Sequence, residues 1–242
     1  MTLTPLFGIN VDPNIDALEE TYARTQYADQ HGLDLITVQD HPYQRRFFDT
    51  WTLLSVLAAQ TERVHLGTNV ANLPLRPPAM LAKQAASLDV LSGGRVELGL
   101  GAGAFWQGIE AFGVPARTPA EAYAGFEDAL HIIKAMWSQR SVSYAGSVYH
   151  VKGAQPGPLP AHPIRIWVGA SGKKMLNLTG RMADGVLVSS SYEPPERLLE
   201  INRQIDEGAE QAGRSTEAIR RGYNLMGIVD VGQFGGRLTN LQ

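Results

Sequence analysis

Two adjacent side chains that can carry protons, Asp40 and His41, close an apolar run that begins at Leu35. Imidazole titrates near neutral pH, so this pair could transfer a proton or orient a ligand. Pro42 biases His41 away from helical backbone angles and fixes the exit of the chain. The alternative is that Asp40 only caps the following turn and His41 packs within it. Position along the chain leaves both interpretations open.

A glycine-rich turn, Gly169-Ala170-Ser171-Gly172, follows an apolar run at 164–168 and precedes a stretch of helical spacing. Backbone N–H groups at such a turn can hold phosphate oxygens, and the Ser171 hydroxyl adds a donor. A P-loop is excluded, because Trp167 occupies its first glycine position and Lys174 its Ser/Thr position. The sequence therefore favours an anion site over a plain tight turn.

Two further strand exits carry residues suited to a ligand. The segment Gly99–Ala104 fits the loose pattern G-x-G-x-x-A, but the next residues, Phe105–Gly108, are poor helix sequence. We therefore interpret Gly101, Ala102 and Gly103 as a strand exit beside a ligand rather than a dinucleotide site. Thr68, Asn69 and Val70 could offer hydroxyl, amide and apolar contacts, or form an ordinary exit from a strand.

Metal and hydrolase signatures are absent from the sequence. The chain has no cysteine, and its other five histidines show neither HExxH spacing nor a neighbouring acidic cluster. The G-x-S-x-G motif of hydrolases is also missing. The sequence predicts no metal site and no hydrolase nucleophile.

The elements that must position these residues follow a regular alternation. Segments of helical spacing separate short apolar runs, which are typical of parallel strands covered on both faces. The predicted strands are Leu6–Asn10, Leu35–Asp40, Val64–Val70, Val96–Gly101, Ile164–Gly169, Val186–Ser190 and Tyr223–Val231. This alternation predicts an α/β fold with a parallel sheet, either doubly wound or closed into a barrel. A hairpin and loop are predicted as an insertion at about 141–163.

Composition narrows the function classes. The 242 residues suit one barrel domain spanning 1–242, and 44% hydrophobic with 19% charged residues is an ordinary globular balance. A net charge of −3 argues against a polybasic binder of nucleic acid or membranes. We find neither a secretory signal nor a window of about 20 apolar residues. We expect a cytoplasmic protein that acts on a small molecule, as a homodimer.

Taken in order, several motifs resemble the bacterial-luciferase-like superfamily, in particular its branch that binds the deazaflavin F420. The motifs cover nearly the whole chain and keep the family's order. They are Val38-Gln39-Asp40-His41-Pro42, Leu66-Gly67-Thr68-Asn69-Val70, Leu91-Ser92-Gly93-Gly94-Arg95-Val96, Leu98-Gly99-Leu100-Gly101-Ala102-Gly103, Ile166-Trp167-Val168-Gly169-Ala170-Ser171-Gly172 and Ala183-Asp184-Gly185.

This resemblance implies a TIM barrel with the cofactor ring at the carboxyl ends of the strands. It implies that His41 acts in acid–base chemistry or orients the substrate, and that Asp40 contacts the cofactor. It implies a non-proline cis peptide between Asn69 and Val70 that backs the ring. The glycines at 101–103 would line the cofactor, and residues 169–172 would bind its phosphate.

The resemblance also leaves the reaction open. The first hypothesis is an F420-dependent oxidoreductase that transfers hydride between C5 of the deazaflavin and a small organic substrate. The second is a monooxygenase that uses reduced FMN and molecular oxygen, and the third is a non-catalytic flavin-binding protein. Sugar-phosphate dehydrogenases of the branch carry an acid where this chain has Ala104, so their substrate arrangement does not transfer directly.

The length predicts an incomplete barrel. Seven predicted parallel strands extend to Val231, and residues 232–242 could begin a helix at Arg237 but could not supply an eighth strand as well. We therefore expect a TIM-type barrel that lacks the last βα unit in this chain, through truncation or through closure by a partner subunit.

Overall fold

Parallel strands dominate the structure, a computed structural model that describes residues 3–225. The strands of the main sheet are β1 (Gly8–Val11), β2 (Leu35–Val38), β3 (His65–Thr68), β4 (Ala71–Asn72), β5 (Val96–Gly101), β8 (Ile166–Gly169), β9 (Gly185–Ser189) and β10 (Arg220–Asn224). Their order is β1-β2-β3-β5-β8-β9-β10, with the short β4 also paired to β5. Every pairing in this sheet is parallel.

Helices connect the strands, as the alternation predicted. They are α1 (Leu18–Gln30), α2 (Thr50–Ala59), α3 (Pro78–Leu91), α4 (Trp106–Ala111), α5 (Pro119–Ser138), α6 (Lys173–Met182) and α7 (Leu198–Gln211). Among the residues that the structure describes, no helix is long and apolar enough to cross a membrane.

The hydrophobic core lies between the sheet and these helices. Ile36, Leu66 and Leu98 of the strands belong to one buried cluster with Leu81 of α3 and Leu130 of α5. Side chains alternate along a strand, so the positions between these apolar residues face the inside of the barrel. Those positions carry polar residues and glycines such as Thr37, Gly67 and Glu97. The inside of this barrel therefore carries polar side chains such as Thr37 and Glu97.

Contacts across the sheet show that it curls into a nearly closed barrel. Asn69, just beyond β3, donates from Nδ2 to Oδ1 of Asn224 in β10 at 3.1 Å. Arg220 of β10 donates to the carbonyl oxygen of Thr4, which precedes β1, at 2.9 Å. The TIM-type barrel predicted from the sequence is thus confirmed. The predicted last strand agrees at Tyr223 and Asn224, and Leu225 already lies outside β10. The predicted strand residues 226–231 and the helix start at Arg237 lie outside the described residues.

A hairpin lies within the segment where the sequence predicted one. Strands β6 (Val142–Ala145) and β7 (His150–Ala154) form an antiparallel hairpin with a register shift between Val142 and Tyr144. Residues between β7 and β8 form the predicted Gly- and Pro-rich loop.

One local prediction is wrong: the segment judged to be poor helix sequence contains α4. Tertiary packing overrides the weak propensity here. Ile109 is fully buried, and a Cβ on Gly108 would lie 2.6 Å from the Phe105 ring and 2.8 Å from Tyr43. Glycine therefore permits the close approach that holds this turn of helix in place. The helix begins five residues after β5 ends, so it does not open directly from the glycines.

Candidate cofactor site

The candidate residues lie at one end of the barrel, because each follows or closes a parallel strand. Asp40 and His41 follow β2, and Asn69 and Val70 follow β3. Gly101 closes β5 before Ala102 and Gly103, and Gly169 closes β8 before 170–172. The carboxyl ends of the strands thus gather all these segments at the mouth of the barrel, where ligands of such barrels bind.

Val70 forms a floor between two of these strand ends. The bond from Asn69 to Val70 is a cis peptide, which confirms the expectation from the resemblance. A Cβ placed on Gly101 would lie 2.6 Å from Cγ2 of Val70, and one on Gly169 would lie 3.0 Å from the same atom. The isopropyl group therefore rests on bare backbone of β5 and β8. Gly103 has a φ of 92°, a left-handed conformation that favours glycine.

Asp40 is buried and fully engaged by the protein. It is 1% exposed, and its Oδ2 accepts from the backbone N–H of Asn72 at 2.9 Å. Arg76 donates from Nε to Oδ2 at 2.9 Å and from Nη2 to Oδ1 at 2.8 Å. The carboxylate therefore joins the loop after β2 to the segment after β3. Direct contact between Asp40 and a cofactor stays a prediction.

Arg76 links this carboxylate to a helix. Its Nη2 also donates to Oδ2 of Asp49 at 2.7 Å, and Asp49 caps α2 by accepting from the N–H of Thr52. Burial lowers the pKa of Arg76, but the hydrogen bonds and charges of Asp40 and Asp49 outweigh it and hold that pKa above its usual value. Arg76 thus remains a cation that pairs with two carboxylates.

His41 is half-buried beside the site. Its Nδ1 lies 2.7 Å from the hydroxyl oxygen of Tyr43, whose ring meets Phe105 edge-on at 5.3 Å between centroids. Burial lowers the pKa of His41, although the negative charges of Asp40 and Asp12 oppose the shift. Neutral imidazole is therefore the favoured form near pH 7. Tyr43 uses Nδ1, which leaves Nε2 as the ring nitrogen available for a ligand.

The amide of Asn69 belongs to a polar network inside the mouth. Besides donating to Asn224, it accepts from Nδ2 of Asn224 at 3.3 Å, and Asn224 also donates to Oγ of Ser189 at 3.1 Å. Thr68 behaves differently: its buried hydroxyl donates to the carbonyl oxygen of Gly99 at 2.6 Å. This donor is therefore already bound to the neighbouring strand. Contact between the Thr68 hydroxyl and a cofactor stays a prediction.

The segment at 169–172 leads into α6 with its backbone donors uncapped. Gly172 is the N-cap, no side chain among the described residues caps the first turn, and that turn contains no acidic residue. Ser171 and Gly172 are exposed, as are Lys173 and Lys174. The positive end of the helix dipole therefore lies at an exposed part of the surface, where an anion could approach it.

Arg76, Asn224 and Tyr43 were not predicted from the sequence as residues of the site. Arg76 lies 36 positions from Asp40, and Asn224 lies 155 positions from Asn69. No local motif marks either contact. Tyr43 follows the Asp40-His41-Pro42 motif directly, so it could have been noted as a neighbour of His41.

Comparisons with known proteins identify relatives of this chain. The chain is 32% identical over 212 residues to a 5,10-methylenetetrahydromethanopterin reductase of Archaeoglobus fulgidus, covering 88% of this chain and 60% of the relative. It is 30% identical over 204 residues to an F420-dependent glucose-6-phosphate dehydrogenase of Gordonia bronchialis, covering 80% of this chain and 60% of the relative. The chain thus spans about three fifths of the length of these curated relatives.

The fold comparison leads to the same group. The structure of the coenzyme F420-dependent tetrahydromethanopterin reductase from Methanopyrus kandleri superposes with a TM-score of 0.81 at 25% identity, covering 91% of this chain and 65% of that one. The family described as luciferase-like monooxygenase matches residues 2–232. The chain belongs to the luciferase-like monooxygenase family.

Proposed function

We propose that this chain binds coenzyme F420 and is an oxidoreductase that transfers hydride between the deazaflavin and a small organic substrate. The observation that supports this proposal most strongly is the contact of Val70 with the bare backbone at Gly101 and Gly169. Gly169 lies shortly before the uncapped start of α6. A flat apolar floor and an anion site are thereby neighbours, as a ring with a phosphate-bearing tail requires. The similarity to F420-dependent enzymes supports the choice of cofactor.

The residues at the mouth fit such a cofactor in distinct ways. In the proposal, Val70 backs the ring, while the amide of Asn69 and the backbone at Gly101, Ala102 and Gly103 border it. The N–H groups of 169–172 and the Ser171 hydroxyl bind phosphate oxygens. Lys173 and Lys174 add positive charge nearby. When bound, the deazaflavin supplies two-electron hydride chemistry.

The proton and the geometry come from the chain. Neutral His41, held at Nδ1 by Tyr43, presents Nε2 to donate to or accept from an oxygen of the substrate. Asp40 acts as a positioning residue, because its bonds to Arg76 and Asn72 fix the loop that carries His41 relative to the floor. That the enzyme is one domain and works as a homodimer in the cytoplasm remains our proposal from the sequence.

Turnover tests this proposal. The purified protein is mixed with oxidised F420 without oxygen, and a panel of alcohols, sugar phosphates and reduced pterins is screened for loss of the deazaflavin absorbance. We expect at least one substrate to react, and His41→Asn to slow its reaction by about 10²- to 10⁴-fold. His150→Asn, in the exposed hairpin, is the matched control and should react at the wild-type rate. Formation of an oxygenated substrate with reduced FMN and molecular oxygen, and no reaction with F420, would instead identify a monooxygenase.

A further inference from the structure

Three side chains able to bind a metal meet at the opposite end of the barrel from the candidate cofactor site. His65 is the first residue of β3, Glu97 is the second residue of β5, and His162 lies in the loop before β8. Their potential ligand atoms all lie within 4.8 Å of one another. Spacing along the chain could not predict this cluster, because its residues come from three separate segments at the amino ends of the strands.

Two imidazole nitrogens in this cluster lack partners. Nδ1 of His65 and Nε2 of His162 are buried and make no hydrogen bond with any residue of the described range 3–225. The rings meet edge-on with centroids 5.8 Å apart, and Nδ1 of His65 lies 3.8 Å from Oε1 of Glu97, too far for a hydrogen bond. Buried polar atoms usually have a hydrogen-bond partner. Two unpaired imidazole nitrogens beside a carboxylate therefore suggest that a ligand binds between them.

The second ring nitrogen of His162 is held by a carboxylate, as is common for histidines that bind a metal. Nδ1 of His162 lies 2.7 Å from Oδ1 of the fully buried Asp89. Asp89 is itself fixed by the backbone N–H groups of Val96, Ala161 and His162. A carboxylate at Nδ1 places the ring proton there and turns the lone pair of Nε2 into the cluster.

Glu97 is oriented in a similar way. It is buried, and its Oε2 accepts from Nε1 of Trp167 at 2.8 Å, which leaves Oε1 on the side of His65. Nε of Arg165 lies 3.7 Å from Oε1 and partly offsets the negative charge. The Arg165 side chain is 37% exposed, so it can swing into solvent when a cation takes its place.

We propose that Nδ1 of His65, Nε2 of His162 and Oε1 of Glu97 bind one zinc-like divalent cation. Two imidazoles and one carboxylate are a ligand set that Zn²⁺ accepts, with water in the fourth position. Bonds of about 2.0 to 2.1 Å place ligand atoms about 3.4 Å apart, so the cluster must contract by roughly 1 Å. His65 is 37% exposed and can rotate to close that gap.

A metal at this site would stabilise the fold and would take no part in the reaction at the mouth of the barrel. A metal there ties β3, β5 and the loop before β8 together, and any ligand that binds only the folded state stabilises it. This inference does not depend on the proposed function, since no residue is shared between the two sites.

Metal binding tests the proposal directly. The protein is stripped with a chelator and titrated with Zn²⁺ by calorimetry, and with Co²⁺ by visible absorbance. We expect one equivalent to bind, and Zn²⁺ to displace the Co²⁺ bands and to raise the thermal unfolding midpoint. His65→Ala and His162→Ala should abolish these signals, while Asp89→Asn should weaken binding about 10- to 100-fold. His150→Ala, at an exposed position remote from the cluster, should bind as the wild type does.

His65→Ala decides the outcome even if substitution of the buried Asp89 prevents folding, because His65 is only partly buried. Its fold is checked by circular dichroism before titration. Failure of the wild-type protein to bind one equivalent would overturn the proposal. Equal binding by the wild type and by folded His65→Ala would do the same.

Discussion

Arg76 holds Asp40 through two parallel hydrogen bonds, from Nε at 2.9 Å and from Nη2 at 2.8 Å. The pair is nearly closed to solvent, with side chains 13% and 1% exposed. Asp40 also accepts from Asn72, so this ion pair connects the strand that precedes His41 to the segment that follows Val70. The relative position of the proposed acid–base residue and the proposed ring floor depends on Arg76.

Removal of Arg76 should therefore destabilise the folded protein. Arg76→Ala leaves the Asp40 carboxylate buried without its cation, and we expect the free energy of unfolding to fall by about 3 to 5 kcal/mol. Urea unfolding measures the change. The control is Arg24→Ala, which removes an exposed ion pair with Glu20 and should cost less than about 1 kcal/mol. Equal effects of the two substitutions would show that Asp40 does not need its partner.

The contact of Gly101 with Val70 gives a second prediction. A methyl group at position 101 would lie 2.6 Å from Cγ2 of Val70, so Gly101→Ala must displace the floor. We expect a loss of about 1 to 3 kcal/mol of unfolding free energy, together with weaker binding of F420. Gly172→Ala is the stability control, because nothing lies within 4 Å of a Cβ there. If Gly101→Ala matches Gly172→Ala in stability and the wild type in affinity for F420, Val70 is not the rigid floor that we describe.

The start of α6 permits a test that separates stability from anion binding. Gly172 has the extended backbone of an N-cap, with φ −79° and ψ 137°, so aspartate and asparagine can both cap the helix there. We expect Gly172→Asp to change stability by only a few tenths of a kcal/mol. Its negative charge should lower the affinity for F420 at least about tenfold, or roughly 1.4 kcal/mol.

Gly172→Asn is the matched control for that charge. It competes for the same N–H groups without repelling phosphate, so its affinity should lie between those of wild type and Gly172→Asp. Fluorescence titration of F420 compares the three proteins. Unchanged affinity in Gly172→Asp would remove this turn from the binding site.

His41 should make stability depend on pH. Burial lowers its pKa below 6.5, so the unfolded chain binds more protons than the folded protein between the two values. The stability contribution is therefore complete above about pH 6.5 and is lost as the pH falls through the lowered pKa. Thermal unfolding near pH 7.5 and near pH 5.5 should show a larger acid-induced loss for the wild type than for His41→Asn. A loss of the same size in both proteins would mean that His41 titrates normally.

Local pattern was enough to predict the frame of this protein. Continuous apolar runs predicted the parallel strands to within a few residues, because both faces of those strands are covered. The hairpin at 141–163 followed from its turn residues. The cis peptide at Asn69 came from the family resemblance, since nothing in the residue types alone requires it.

The sequence could not predict the contacts that form only when the barrel closes. The pairings of Asp40 with Arg76 and of Asn69 with Asn224 join residues far apart in sequence. Helix α4 formed against its propensity, because Gly108 permits close packing beneath Phe105 and Tyr43. Propensity and spacing describe one segment at a time, whereas these features arise only when several segments meet.

The central claim is that the mouth of the barrel binds F420. The most direct measurement titrates the purified protein with oxidised F420 and, separately, with FMN, and follows absorbance and fluorescence in the same buffer. Our account predicts saturable binding of one equivalent of F420 and much weaker binding of FMN. Tight binding of FMN without affinity for F420 would contradict it.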